Sequence, residues 1–218
     1  MSENSQKVID DILKKYGDGI AVYARKVVDT PRQIINVSPA IDIALGGGIP
    51  EGSVCVFASP PKLGKSTLAL HIAAKAQKMP KVLGSTETKN VYYFDIEGRI
   101  KKRDLEGIHG LDIDKLYIIH STQEKILTSE DNLQIARELI KSDIGCVIIM
   151  DSIAQLTSEK EMISDTGSTE RNNISIILGK FFRQICNTVP VNNTILIAIT
   201  HLIANTSGYG SPWSESGG

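Results

Sequence analysis

The residues with the clearest chemical potential are Ser59-Pro60-Pro61-Lys62-Leu63-Gly64-Lys65-Ser66-Thr67. They separate an apolar run at 54–58 from an amphipathic run at 68–76. That order predicts a strand, a tight loop and a helix start, the setting in which a phosphate-binding loop works. Backbone N–H groups around Gly64 and Lys65 would wrap a phosphate at a helix N-terminus, which favours anions. Lys65 would reach the β- and γ-phosphates of a nucleotide, and the Ser66 hydroxyl would bind Mg²⁺. Ser59 stands where the pattern has its first glycine. If that position needs a positive φ, a serine there costs about 1–3 kcal/mol of strain. The plain alternative is a Gly-Lys-Ser turn that only caps a helix.

Three further strand ends carry polar groups that could share this site. Val147-Ile148-Ile149-Met150-Asp151 is an apolar run closed by a carboxylate, where such a site places the acid that orients Mg²⁺ and its waters. Tyr92-Tyr93-Phe94-Asp95-Ile96-Glu97 offers Glu97 as a general base toward a water at the γ-phosphate. The run from Ile195 to His201 offers His201 as a group that senses that phosphate. In open α/β sheets ligands collect beyond the carboxyl ends of strands, so these features would converge on one edge. Taken singly, Glu97 reads equally as a solvated loop residue and His201 as a surface or capping imidazole.

The elements that must position these groups alternate. Strands are predicted at 53–58, 91–96, 115–120, 145–151 and 193–200, and helices at 65–78, 101–109, 129–142 and 170–188. Continuous apolar strands separated by helices imply a mostly parallel sheet covered on both faces, an α/β fold. The insert at 79–90 reads as a surface loop. Ahead of the sheet, Val8, Ile9, Ile12 and Leu13 recur at helical spacing over 4–16, Gly17 and Gly19 end that helix, and 20–37 reads as extended.

Composition bounds the partners. A chain of 218 residues that is 41% hydrophobic can bury a full core. Its net charge of −1 gives no global basic field toward nucleic acid, and only 5% of residues are aromatic, so any DNA contact must be local. Three cysteines without a paired spacing argue against a zinc site or a disulfide framework. No apolar run approaches the ~20 residues of a membrane span, and the expectation is a soluble intracellular protein without a membrane partner.

From about Ile35 onward the chain resembles the ATPase core of the RecA family of recombinases. The residues that carry this are Ser38-Pro39-Ala40-Ile41-Asp42-Ile43-Ala44-Leu45-Gly46-Gly47, the phosphate loop, Phe94-Asp95-Ile96-Glu97, Gly110-Leu111-Asp112-Ile113-Asp114 and Met150-Asp151-Ser152-Ile153-Ala154. His201, where bacterial members carry glutamine, and the irregular loop make it more similar to phage recombinases of the UvsX type. The resemblance implies a RecA-like P-loop NTPase core at 35–218, preceded by an oligomerisation segment at 1–34. It implies ATP and Mg²⁺ as cofactors, Glu97 and Lys65 as catalytic groups, Asp151 and Ser66 at the magnesium site, and His201 as the link from γ-phosphate to the DNA loop that follows. The adenine-stacking aromatic of relatives is missing, which leaves Arg103 as a planar substitute or as part of a solvated basic face.

The resemblance also implies two unstructured DNA loops, at 158–170 and from Leu202 onward. Neither is basic, so DNA would be held by backbone N–H groups at Gly217 and Gly218, by Arg183 and by stacking on Trp213 or Tyr209. Partners would be single- and double-stranded DNA, further copies in a head-to-tail filament or ring, and single-strand-binding and mediator proteins. The setting would be the nucleoid-associated cytoplasm of a bacterial or phage-infected cell. Ending at Gly218, inside the second loop, the chain is expected to be a truncated or short member and a poor ATPase.

The leading reading is an ATP-dependent recombinase that forms filaments on single-stranded DNA and exchanges strands. The alternatives are a RecA-like paralogue or mediator that binds ATP for assembly only, and a P-loop kinase, for which no lid or acceptor site is found.

Overall fold

The computed structural model describes residues 3–163, 173–204 and 213–215. The chain divides into two compact units, Met1–Arg32 and Gln33–Gly218.

The first unit holds helix α1 (Glu3–Tyr16) and helix α2 (Ala24–Val28). Gly17, at φ 100, closes α1 by donating its N–H to the Leu13 carbonyl. Helix α2 corrects the extended reading of 20–37. It is a single turn, too short for a 3.6-residue period to show in the sequence, and an Arg25–Asp29 pair spans it.

The second unit opens with strand β1 (Ile34–Ile35), helix α3 (Pro39–Leu45) and strand β2 (Ile49–Pro50), β1 and β2 pairing antiparallel. Ser38 caps α3 and Pro39 starts it, while Gly46 ends it in a left-handed turn at φ 70. Then follow β3 (Val54–Ser59), α4 (Lys65–Ala76), β4 (Val91–Asp95), α5 (Lys102–Glu106), β5 (Leu116–Ile119), α6 (Ser129–Ser142) and β6 (Val147–Asp151). The last elements are α7 (Glu159–Ile163), α8 (Asn173–Ile185), α9 (Thr188–Val191), β7 (Ile195–Ala204) and β8 (Trp213–Glu215).

The sheet runs β5-β4-β6-β7-β3 with every pair parallel, and β8 adds antiparallel to the far end of β7. This is the mostly parallel, helix-flanked α/β core expected from the sequence. Central strands are apolar throughout because both faces are covered. Val91, Tyr93, Ile149 and Ile197 face the helix α4 side with Ala69, Ile72 and Ala73. Phe94, Ile148 and Leu196 face the other side with Leu133, Ala136 and Phe181. Each isoleucine or leucine fully buried there contributes about 1.5–3 kcal/mol.

Several boundaries differ from the sequence reading. Of the predicted helix at 170–188, residues 170–172 lie outside the described residues and the rest falls into two pieces, α8 and the start of α9, because Pro190 has no N–H to donate to residue 186. The first predicted unstructured loop begins with helix α7, and its residues from 164 on lie outside the described residues. The second, predicted from Leu202, instead begins with the end of β7, which runs to Ala204, and includes strand β8, which the sequence reading missed.

The insert at 79–90 is irregular but not wholly a surface loop. Lys89 is buried, its ammonium paired with Glu51 and donating to the Lys81 and Gly145 carbonyls. The Gln33 amide donates to the same Glu51 carboxylate and to the Pro80 carbonyl. Gly145 is required here, because at φ +77 a Cβ would lie 2.0 Å from the Lys81 carbonyl oxygen.

Candidate functional site

Parallel pairing sets the carboxyl ends of four strands side by side. Ser59 on β3 is in register with His201 on β7, and Asp95 on β4 with Asp151 on β6. Sequence-distant groups are thereby gathered at one sheet edge, where ligands of such sheets collect.

The phosphate-type loop links β3 to α4. Its left-handed residues are Lys62 at φ 64 and Gly64 at φ 81. The strain expected at Ser59 is therefore absent. Ser59 is still extended, as the last residue of β3, and the unusual φ falls three residues later. Lys65 folds back into the loop, its ammonium donating to the Ser59 carbonyl at 2.9 Å, the Ser59 hydroxyl at 3.1 Å and the Pro60 carbonyl at 3.1 Å. Burial pulls the Lys65 pKa below the usual lysine value, against the opposing charges of Asp151 and Glu97. Pro61, Lys62 and Leu63 form the exposed crest of the loop. The first N–H groups of α4, from Lys65 to Thr67, have no acceptor within the helix and remain for an anion.

A cleft of about 470 Å³ opens beside α4, lined by Ser66, Thr67, Tyr93, Glu97, Arg103 and Asp151 among others. Glu97 is held from three sides. Its Oε1 accepts from the Ser152 hydroxyl and from His201 Nε2, each at 3.0 Å, and its Oε2 pairs with Arg99 at 3.1 Å. Burial alone would raise the Glu97 pKa, but the His201 and Ser152 hydrogen bonds and the Arg99 charge outweigh it and leave it below the usual value. His201 Nδ1 is buried without a hydrogen-bond partner among the described residues. Asp95 serves the loop itself, accepting from the backbone N–H groups of Arg99 and Ile100.

The donor set fits magnesium held together with a polyphosphate. Among the described residues no cluster of three or more His, Cys, Asp or Glu could hold a metal alone. The Ser66 hydroxyl and the Asp151 carboxylate are both among the groups that line the cleft. That is what Mg²⁺ needs when phosphates and waters supply its other ligands.

The structure thus brings Ser59, Lys65, Ser66, Glu97, Asp151 and His201 together. Arg103 also lines the cleft, largely exposed and pairing with Asp104 at 3.6 Å. Arg183 is exposed in the last turn of α8 and lines no part of this cleft. The backbone of Trp213 lies in β8, in register with Ala204, while Tyr209, Gly217 and Gly218 lie outside the described residues. Sequence reasoning missed Tyr93, Ser152 and Arg99 as neighbours of these groups. The one signal for Tyr93 was a phenol in a largely apolar run, and Tyr92 beside it carries the same group.

A parallel sheet whose edge strand passes through a phosphate-type loop into a helix, with a carboxylate closing a nearby strand, is the phosphate-loop NTPase architecture. Within that class the chain belongs to the RecA N-terminal domain family, which matches residues 4–218. Protein RecA of Campylobacter hominis is 29% identical, over 100% of this chain and 61% of its own length. Protein RecA of Oleidesulfovibrio alaskensis is 30% identical over 96% of this chain and 57% of its own. Protein RecA of Clostridium beijerinckii is 31% identical over 82% and 46%. The chain spans about three-fifths or less of the length of these curated relatives.

Proposed function

We propose that this chain is the ATP-binding core of a homologous-recombination protein that assembles on single-stranded DNA and promotes strand pairing and exchange. The observation that carries the reading is the convergence of Lys65, Ser66, Glu97, Asp151 and His201 on one sheet edge. In this reading the loop and Lys65 hold the phosphates of ATP, and Ser66 and Asp151 hold Mg²⁺. Glu97 polarises the attacking water, and His201 relays the state of the γ-phosphate into the strand that leads to the DNA-facing segment. Family membership supports ATP hydrolysis stimulated by DNA.

Arg183, Trp213, Gly217 and Gly218 remain the proposed DNA contacts, and Arg103 the proposed adenine contact. Residues 1–34 are proposed to join neighbouring copies head to tail. Large apolar side chains of that segment, among them Val8, Ile20, Tyr23 and Val28, are exposed, which supports such a role. Single-strand-binding and mediator proteins are proposed as further partners. His201 and Ser59 support the phage UvsX-type subgroup, with a bacterial or phage-infected cytoplasm and its nucleoid as the setting. Among the described residues no helix is long and apolar enough to cross a membrane.

ATP hydrolysis measured with and without single-stranded DNA, followed by a strand-exchange assay, tests the proposal. Stimulated hydrolysis with exchange supports it. ATP binding with filament assembly but no exchange would favour the mediator alternative, and no ATP binding would overturn both.

A further inference from the structure

Tyr93 is a buried phenol in a strand where phenylalanine would fill the same space. It is 3% exposed and packs on the α4 side of the sheet among Leu70, Ile108 and Ile149. Its register partners are Ile118 on β5 and Ile149 on β6. Burying a hydroxyl among such neighbours is costly unless it is hydrogen-bonded. Here the bond goes to the site: the Tyr93 hydroxyl donates to Asp151 Oδ2 at 2.5 Å. Ser66 lines the same cleft as Tyr93 and Asp151. Among the described residues Asp151 Oδ1 takes no such bond.

We propose that Tyr93 is a positioning residue for the divalent cation: it fixes the Asp151 carboxylate through one oxygen, leaving the other for Mg²⁺ or its waters. The inference rests on the nucleotide-site reading above. It assigns a function to a group two residues before Asp95 that no motif of the loop or of the strand end includes. Hydrogen-bond partners behind a metal's ligands are worth about 10–100-fold in metal affinity.

The test is Tyr93→Phe, which removes the hydroxyl and keeps the ring. Calorimetric ATP titrations are run in EDTA and over a series of Mg²⁺ concentrations. The half-saturating Mg²⁺ should rise about tenfold, while ATP affinity in EDTA stays as in the wild type. An unchanged Mg²⁺ dependence would overturn the proposal. So would an equal loss of affinity with and without metal, or a Phe variant that no longer folds, since the hydroxyl would then serve only the core. If the wild-type chain itself binds ATP without regard to Mg²⁺, the nucleotide-site reading fails first and takes the inference with it.

Discussion

Glu97 Oε1 and His201 Nε2 lie 3.0 Å apart, although they stand 104 positions apart in the sequence. A carboxylate can only accept, so Nε2 carries the proton in this contact. The bond joins the candidate base to the candidate phosphate sensor across the sheet edge. Release of Glu97 for a water is therefore coupled to where the His201 ring points.

A pH profile reads that coupling. The Glu97 pKa is depressed in the fold, so hydrolysis that needs its carboxylate is present at neutral pH and lost only as pH falls through that depressed value. His201→Ala removes one bond that depresses it, leaving burial to push it back up. The acid limb of kcat/KM for ATP hydrolysis should move to higher pH, and an unmoved limb would uncouple the two residues.

Binding and turnover should separate by substitution. Lys65→Ala should abolish tight ATP binding, because it removes the loop's cation at the β- and γ-phosphates; unchanged calorimetric affinity would misplace the site. Glu97→Gln should keep ATP binding and slow hydrolysis about 10²–10⁴-fold, read as the turnover number with DNA present. Full turnover in that variant would remove Glu97 from the chemistry.

Asp143 should govern acid stability. Its carboxylate pairs with Lys81 and accepts from Asn90 and from the Tyr92 hydroxyl. Burial raises its pKa, but these three partners outweigh that and hold it below the usual value. The folded pKa is depressed, so the stabilisation is present above the unfolded value of about 3.9 and lost as pH falls through the folded one. Asp143→Asn should cost about 2 kcal/mol at neutral pH, measured by urea unfolding. The gap to the wild type should close in acid, and a gap that persists there would mean that packing, not charge, is responsible.

Deleting residues 1–18 tests assembly. Val8, Ile9, Ile12 and Leu13 form one stripe of α1, a helix too short to be stable alone. A head-to-tail contact that does not close gives a helical filament. The shortened chain should remain folded and bind ATP, yet no longer lengthen with concentration or DNA in light scattering. Unfolding, or persistent filaments, would assign the stripe another role.

The sheet was legible because a strand covered on both faces must be apolar at every position, as β6 and the buried start of β7 are. The shared edge followed from that, since Asp151 and His201 each close such a run and Ser59 closes the apolar run of the edge strand β3. The loop's backbone was not legible. Aligning Ser59 with a glycine suggested a positive φ, whereas the chain turns at Lys62 and Gly64. Nor could spacing reveal Tyr93–Asp151 or Lys89–Glu51, which are 58 and 38 residues apart and meet only through strand order. Helix α2 is a single turn and left no periodic trace.

Lys89 has a practical consequence for following the protein in solution. Its amine is fully enclosed beneath the sheet, whereas lysines such as Lys102 and Lys115 stand largely in solvent. An amine-acylating reagent should label those quickly and spare Lys89 for as long as Gln33, Glu51 and the Gly145 turn stay closed over it. In a mass-spectrometric footprint, label arriving at Lys89 would time the opening of the sheet's base, separately from events at the nucleotide edge.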